Sequence, residues 1–394
     1  MTQALDGIRV LDLTQVMAGP YCTMLLCDMG ADVIKVEPPT GDSTRRMPGA
    51  VGTDSPSFNA VNRGKRGVVA NLKQVAGRDT VRRLAGSVDV LVENYRPGVL
   101  SRFGLGYDDL ARQHPMLVYA SISGYGQTGP AAGKGGFDLV AQGASGLMSV
   151  TGEAGGAPVK VGVPITDLGA ALFAATGILS ALLARLRTGR GQLVDTSLVD
   201  AGVALSVWEA TQYFSGRGVP KPLGSAHRMN APYQAMRCAD GHITVGAAND
   251  RIFHRLCEAL DHPEWVDDAD YRDDEHRLQH RVALVARIEA VMTHRSCAHW
   301  LALFEARDIP CGPINDYAAV MADPHILARE LVVETDHPTL GRIKTLGTPL
   351  KLSDTPLIPG RPAPLLGQHT DEVLGEAGLT ADEIAELRRI GAVA

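Results

Sequence analysis

Short apolar runs alternate with segments of helical spacing through the first half of the chain. Residues 8–14 (IRVLDLT) and 32–37 (DVIKVE) read as strands, and residues 21–29 between them have helical spacing and are closed by Gly30. Residues 67–72 and 88–95 are further strands around a helical run at 77–84, and a strand at 116–122 follows a helix at 107–113. β and α segments in alternation predict a mostly parallel sheet covered by helices, an α/β fold. The pattern continues with helices at 139–147 and 168–187, the second closed by Gly189, a short strand at 193–195 and a helix over 198–214.

Residues 215–232 are rich in Gly, Pro and basic residues and read as a linker. Composition shifts beyond it: of twelve histidines only His114 precedes residue 220, which marks a second domain. Residues 233–238 and 242–247 form a predicted hairpin about Asp240-Gly241, followed by helical stretches at 251–260, 281–293 and 297–307, a smaller α+β domain. A second hairpin is expected within 331–351, turning near Leu340-Gly341, and the last helix opens with a capping box of Thr380 and Glu383.

Composition narrows the function classes. With 45% apolar and 21% charged residues, the 394-residue chain has the make-up of a globular protein of two or three domains. Its net charge of −6 argues against a nucleic-acid binder but leaves room for a local basic pocket. The six cysteines are scattered, form no C-x-x-C pair and have no histidine at metal-ligand spacing. Reduced thiols, a cytoplasmic location and no metal site are therefore expected. The N-terminal stretch lacks the pattern of a signal peptide. Residues 168–184 carry no charge, but they fall short of the ~20 residues of a bilayer span. Their Ala and Gly content suits a buried helix, and no membrane is expected as a partner.

The first strand is followed by Gln15-Val-Met-Ala-Gly-Pro-Tyr, not by the G-x-G-x-x-G turn of dinucleotide-binding enzymes, and no P-loop, G-x-S-x-G or H-E-x-x-H motif occurs. Basic residues cluster locally instead: Arg45-Arg46, the run at 62–66 (NRGKR), Lys73, Arg96 and Arg102. Several follow the C-terminal ends of predicted strands, where open α/β sheets bind ligands. They suit a phosphorylated cofactor, or are solvated surface charges. Asp167 stands at the start of the long apolar helix, where the helix N-terminus favours its charge. It is either a nucleophile or a plain N-cap. Asp138 follows Gly135-Gly136-Phe137, glycines that admit a ligand against the backbone, or else it caps a helix. His227, in the linker, either meets a substrate carboxylate or lies on the surface.

Taken together, LDGIRVLDLTQVMAGPYCTMLLCDMGADVIKVE, VNRGKRGVVANLK, VLVENYRPGVLSRFGLGYDDL, SISGYGQTGP, GGFDLVAQGASGLM, ITDLGAAL, RTGRGQLVDTSLVD and APLLGQHTDEVL resemble, in order and spacing, the class III CoA-transferases, the CaiB–BaiF family. The resemblance implies that Asp167 is the catalytic nucleophile. It implies coenzyme A contacts at Met17 and Ala18, at Ala70, Asn71, Leu72 and Lys73, at Asn94, Tyr95 and Arg96, at Arg102, and at Gly135, Gly136, Phe137 and Asp138, with Arg45 close to a further basic position. It implies an interlocked homodimer whose large, Rossmann-like, CoA-binding domain is built from both chain ends. That places residues 1–214 and 326–394 in the large domain and 233–325 in the small one, joined by the linker at 215–232. Coenzyme A and its thioesters are substrates in this scheme, and no permanently bound cofactor is expected.

Departures refine the expectation. Formyl-CoA/oxalate members carry Gln in place of Met17, Arg in place of Pro38, and a glycine-rich loop where this chain has GSAHRMNAPYQ at 224–234. That segment resembles the succinate–glutarate branch, so His227 and Arg228 become candidates for binding a dicarboxylate. Racemases of the superfamily carry a catalytic His where this chain has Phe137. An α-proton racemase needs a second acid/base, so a racemase, isomerase or CoA-dependent lyase is the alternative, not the first choice.

Overall fold

The computed structural model of the protein describes residues 2–52, 54–358 and 361–394. Strand β1 (Arg9–Asp12) lies at the centre of a six-stranded sheet and is apolar on both faces: Val10 enters one core and Leu11 the other. The chain continues through α1 (Ala18–Asp28), β2 (Asp32–Glu37), α2 (Pro56–Asn62), β3 (Arg66–Val69), α3 (Val75–Ala85), β4 (Val90–Glu93), α4 (Tyr107–Gln113), β5 (Val118–Ser123), α5 (Asp138–Ala144), the single turn α6 (Leu147–Val150), α7 (Ile165–Thr188), β6 (Leu193–Ser197) and α8 (Leu198–Ala204). Every pairing in this sheet is parallel, and the strand order is β3-β2-β1-β4-β5-β6. The order reverses between β1 and β4. Loops leaving those two strands diverge, which opens a crevice at their C-terminal ends.

Helices α1 and α7 cover one face of the sheet and α3 and α4 the other. The 24 residues of α7 are apolar enough to cross a membrane, yet one face of the helix is core. Ala170, Ala171, Ala174, Ala175, Ile178 and Ala181 are buried against the sheet and α1, and these small side chains allow close approach. A Cβ on Gly177 would stand 2.6 Å from Val194. Gly189 (φ 67°) then closes the helix in the left-handed region.

The chain divides into two compact units. One holds residues 1–147, 161–206 and 324–394; in it α16 (Thr370–Glu376) packs against β3, α17 (Ala381–Arg389) begins with the Thr380/Glu383 capping box, and β10 (Val332–His337) pairs with β11 (Gly341–Leu346). The other holds residues 148–160 and 207–323. After α9 (Val207–Phe214) it forms an antiparallel sheet of β7 (Tyr233–Arg237), β8 (His242–Gly246) and β9 (Cys311–Pro313), with α10 (Asp250–Ala259), α11 (Asp274–Gln279), α12 (Arg281–Met292), α13 (Cys297–Ala306) and α14 (Tyr317–Ala322). Met236, Ile243, Phe253, Leu256, Ile288 and Phe304 form its own core. The single turn α15 (Pro324–Ala328) returns the chain to the first unit.

Several elements differ from the sequence expectation, among them the short α11, β9, α14, α15 and α16, which no pattern predicted. The helix expected over 198–214 is interrupted after Ala204, where Ser206 Oγ donates to the Gly202 carbonyl and α9 starts in the second unit. Helix α2 was not expected; its seven residues are too few to show a period, and Ser55, accepting the Phe58 N–H, caps it.

Candidate active site

The crevice at the strand reversal is a cleft of about 450 Å³. The loop after β1 supplies Gln15, Val16, Met17 and Ala18; the loop after β4 supplies Asn94, Tyr95, Arg96 and Pro97; Ser123 and Gly124 follow from β5. Gly135, Gly136 and Phe137 lead into α5, and Asp167 closes the wall from the first turn of α7. Gly124 and Gly136 bring two backbones into contact: a Cβ on Gly124 would lie 2.7 Å from the Gly136 Cα. A Cβ on Gly135 would lie 2.6 Å from the Arg96 guanidinium. Arg96 is exposed and forms no ion pair among the described residues, so it presents a free cation beside this backbone.

Asp167 is the third residue of α7, and Pro164 occupies the N-cap, so the simple capping alternative does not hold. No hydrogen bond to its carboxylate occurs among the described residues. Burial, and next the negative charge of Asp138, push its pKa up to about 6. The carboxylate is therefore charged at neutral pH but poorly solvated, a state that favours attack on an electrophile.

Asp138 is placed beside it for a different reason from the one expected. Its Oδ1 accepts from the Thr166 N–H (3.0 Å) and Oγ1 (2.7 Å), and its Oδ2 accepts from Gln142 Nε2 (2.7 Å). Gln142 Oε1 in turn accepts the Val161 N–H at 2.8 Å. Thr166 and Gln142 are fully buried. With both oxygens engaged, Asp138 ties the start of α5 to the start of α7 and so fixes Asp167. Sequence reasoning missed Thr166 and Gln142, although the GGFDLVAQ segment contains the second.

Arg45 requires correction. It is buried, bonded to Glu37 through Nε (2.7 Å) and Nη2 (2.7 Å) and to Asp54 through Nη1 (2.8 Å), and stacked on Phe58. Its charge neutralises two carboxylates and is not available to a phosphate. Arg45→Met is expected to cost roughly 3–5 kcal/mol, because two buried carboxylates lose their counter-charge. A denaturant titration checks this. The NRGKR run is likewise internal: Arg63 pairs with Asp28, Lys65 with Asp12, and Arg66 with Asp32, Glu372 and Glu376.

The remaining candidates are distributed as follows. Ala70 to Lys73 follow β3 on the same edge of the sheet but do not line the cleft; Ala70 is buried and Lys73 exposed. Arg102 is exposed on a short turn at Ser101–Phe103. His227 and Arg228 belong to the second unit. There His227 stacks on Tyr233 (4.9 Å) and its Nδ1 accepts the Met229 N–H, while Arg228 pairs with Glu209 (3.3 Å) and donates to the Lys221 carbonyl (3.0 Å). An arginine already neutralised in this way is a poor receptor for a substrate carboxylate, so that expectation is withdrawn for Arg228. Lys134, Gln15 and Ser123 line the cleft without having been singled out; they sit at or just beyond C-terminal strand ends or beside the glycine pair, the one signal that would have found them.

A cleft at the strand reversal, with one unpaired carboxylate on its wall, fits acyl transfer to a carboxylate. Comparison agrees: residues 5–370 match the model of CoA-transferase family III. The chain belongs to that family and is a class III CoA-transferase. It is 44% identical over 374 residues to the succinyl-CoA:glutarate CoA-transferase of Mus musculus, covering 94% of this chain and 86% of that one. It is 42% identical to the succinyl-CoA:mesaconate CoA-transferase of Haloarcula marismortui, over 95% of this chain and 97% of the other. Among solved structures, a CaiB/BaiF family protein from Brucella suis aligns with a TM-score of 0.85 at 36% identity, over 96% of this chain and all of that one.

Proposed function

We propose that this enzyme moves coenzyme A from succinyl-CoA to a second dicarboxylic acid of similar length, with Asp167 as the covalent nucleophile. The observation that carries the mechanism is the unpaired, half-buried Asp167 carboxylate on the cleft wall. The relatives named for succinyl-CoA and glutarate or mesaconate support the substrate class.

An Asp167 oxygen attacks the thioester carbon of the donor; the C–S bond breaks, giving a mixed anhydride and CoA thiolate. The thiolate attacks the Asp167 carboxyl carbon, the anhydride C–O bond breaks, and succinate leaves. Aspartyl-CoA thioester remains. A carboxylate oxygen of the acceptor attacks it and expels the thiolate, and the thiolate then takes the acceptor acyl group, restoring Asp167. Every intermediate is an activated acyl group, so the thioester energy survives as long as water is kept out. Each attack builds an oxyanion, for which the Gly135 and Gly136 N–H groups are suited; one such donor is worth ~3–4 kcal/mol of barrier. Coenzyme A lies along Met17-Ala18, residues 94–96 and Gly135-Gly136, with Lys73 and Arg102 for its phosphates. The active form is a homodimer, in keeping with exposed Leu172, Phe173, Leu183 and Leu186 on the outer face of α7.

The test is mass spectrometry of the protein with succinyl-CoA and a panel of free acids in deuterated water. New acyl-CoA without deuterium at its α-carbon is the expected product, and the preferred acid names the acceptor. Deuterium in the acyl-CoA with no new thioester would replace transfer by proton chemistry and sink the assignment. Light scattering in the same buffer should give twice the chain mass.

A further inference from the structure

The loop between β1 and α1 is held in a conformation its own sequence disfavours. Val16 has φ 70°, in the left-handed region where a β-branched side chain crowds the backbone. Around it, backbone polar groups are taken by side chains, one from the preceding strand and the others from distant segments. The Thr14 N–H donates to Asp12 Oδ1 (2.9 Å), and the Thr14 carbonyl accepts from Lys35 Nζ (2.7 Å). Asn94 brackets Gln15, accepting its N–H (2.8 Å) and donating to its carbonyl (2.7 Å). The Val16 N–H itself donates to Asp42 Oδ2 at 3.2 Å.

These side chains form one buried network. Asp12, Lys35 and Asp42 are fully buried; Lys35 pairs with Asp42 at 3.3 Å, and Lys65 bonds both Asp12 (2.9 Å) and the Pro20 carbonyl (3.0 Å). Glu37 accepts the Asp42 N–H at 2.9 Å and so fixes it from behind. A buried ion network of this kind adds little stability over an apolar core of equal volume, because desolvation offsets the attraction. What it does supply is directional partners for the backbone of a loop that has no ladder of its own. The loop so held is the part of the cleft wall that carries Met17 and Ala18.

We propose that Asp42, acting through the Val16 N–H and through Lys35, is a positioning residue that keeps the wall formed by residues 14–18 in its acyl-CoA-binding shape against the backbone strain at Val16. This rests on the assignment of Met17 and Ala18 as coenzyme A contacts.

Glycine takes positive φ freely, so replacing Val16 removes the strain that Asp42 opposes. The test compares wild type, Asp42→Asn and the double variant Asp42→Asn/Val16→Gly. Binding is measured by calorimetric titration with CoA, and kinetics with succinyl-CoA and glutarate. Asp42→Asn is expected to weaken CoA binding and raise KM for the thioester by at least about tenfold, with kcat changed less than about threefold. Val16→Gly in that background is expected to recover at least about threefold in affinity. A residue that served only global stability would show no such recovery. A double variant that binds no better than Asp42→Asn overturns the proposal, as does Asp42→Asn with wild-type affinity. Melting curves report folding; if Asp42→Asn does not fold, Lys35→Gln, which removes the group held between the Thr14 carbonyl and Asp42, carries the same comparison. Wild-type protein that fails to bind CoA would overturn the contact assignment and the proposal with it, whereas binding without rescue overturns the proposal alone.

Discussion

Asp167→Ala is expected to lower kcat for CoA transfer by at least ~10⁴-fold while changing CoA affinity by less than about threefold. The loss is large because the proposed covalent route has no substitute nucleophile: Asp138, the neighbouring acid, has both oxygens tied to Thr166 and Gln142. Affinity is spared because the cleft residues assigned to coenzyme A come from the loops after β1 and β4 and from the glycine segment, and not from α7. Hydroxylamine added during turnover should convert the aspartyl thioester to a hydroxamate on the peptide containing Asp167, and the variant should show none. Turnover near wild type, or a hydroxamate elsewhere, would sink the nucleophile assignment. Loss of folding does not explain the expected result, because ionised Asp167 weakens the fold. Its pKa stands raised to about 6 from 3.8, so the stability linked to its neutral form is complete below about pH 4 and lost as pH rises through 6. Asp167→Asn should therefore exceed wild type by on the order of 1–3 kcal/mol at pH 8 and match it near pH 4, as read from denaturant midpoints.

The central strands were legible because IRVLDL, DVIKVE and VDVLVE are short runs rich in β-branched and apolar residues, set between helical segments, even though each carries charged residues. Helix α7 was legible from its length and its glycine stop, and the hairpin of β7 and β8 from Asp240-Gly241 between two alternating runs. The fate of the basic residues was not. Lys65 beside a strand end looks the same whether it faces a phosphate or a buried carboxylate, and its partner Asp12 lies 53 residues away; for Arg66 and Glu372 the separation is 306. Local composition carries no information on such pairs. The conformation of Val16 was hidden for a related reason: the residue type argues for extended backbone, and the groups that overrule it, Asp42 and Asn94, arrive from two other loops. Asp167 was singled out by the resemblance of its segment, since position alone favoured a helix cap over a nucleophile. Its lack of a partner and its proximity to Asp138 are facts of tertiary structure.

That proximity gives the second large effect. The kcat/KM for the thioester is expected to fall about tenfold per pH unit below a midpoint near 6, because the proposed route needs ionised Asp167 for attack. The midpoint is set first by burial and second by the Asp138 charge, so Asp138→Asn should lower it by roughly 0.5–1 unit and still leave it above 3.8. The substrate offers a competing explanation for the wild-type profile, since the phosphomonoester of coenzyme A also titrates with a pKa of about 6. A substrate titration, however, is the same for every variant. A midpoint that moves down in Asp138→Asn therefore belongs to the enzyme, while one that stays fixed belongs to the substrate and removes the electrostatic link between the two aspartates. The same variant separates the two roles of Asp138. An amide oxygen still accepts from Thr166, so the start of α7 keeps its anchor, whereas Asp138→Ala removes the anchor together with the charge. Asp138→Asn should thus retain most of its rate above pH 7, and Asp138→Ala should lose roughly 10²-fold at every pH, since misplacing a reacting group by about 1 Å is enough to do so.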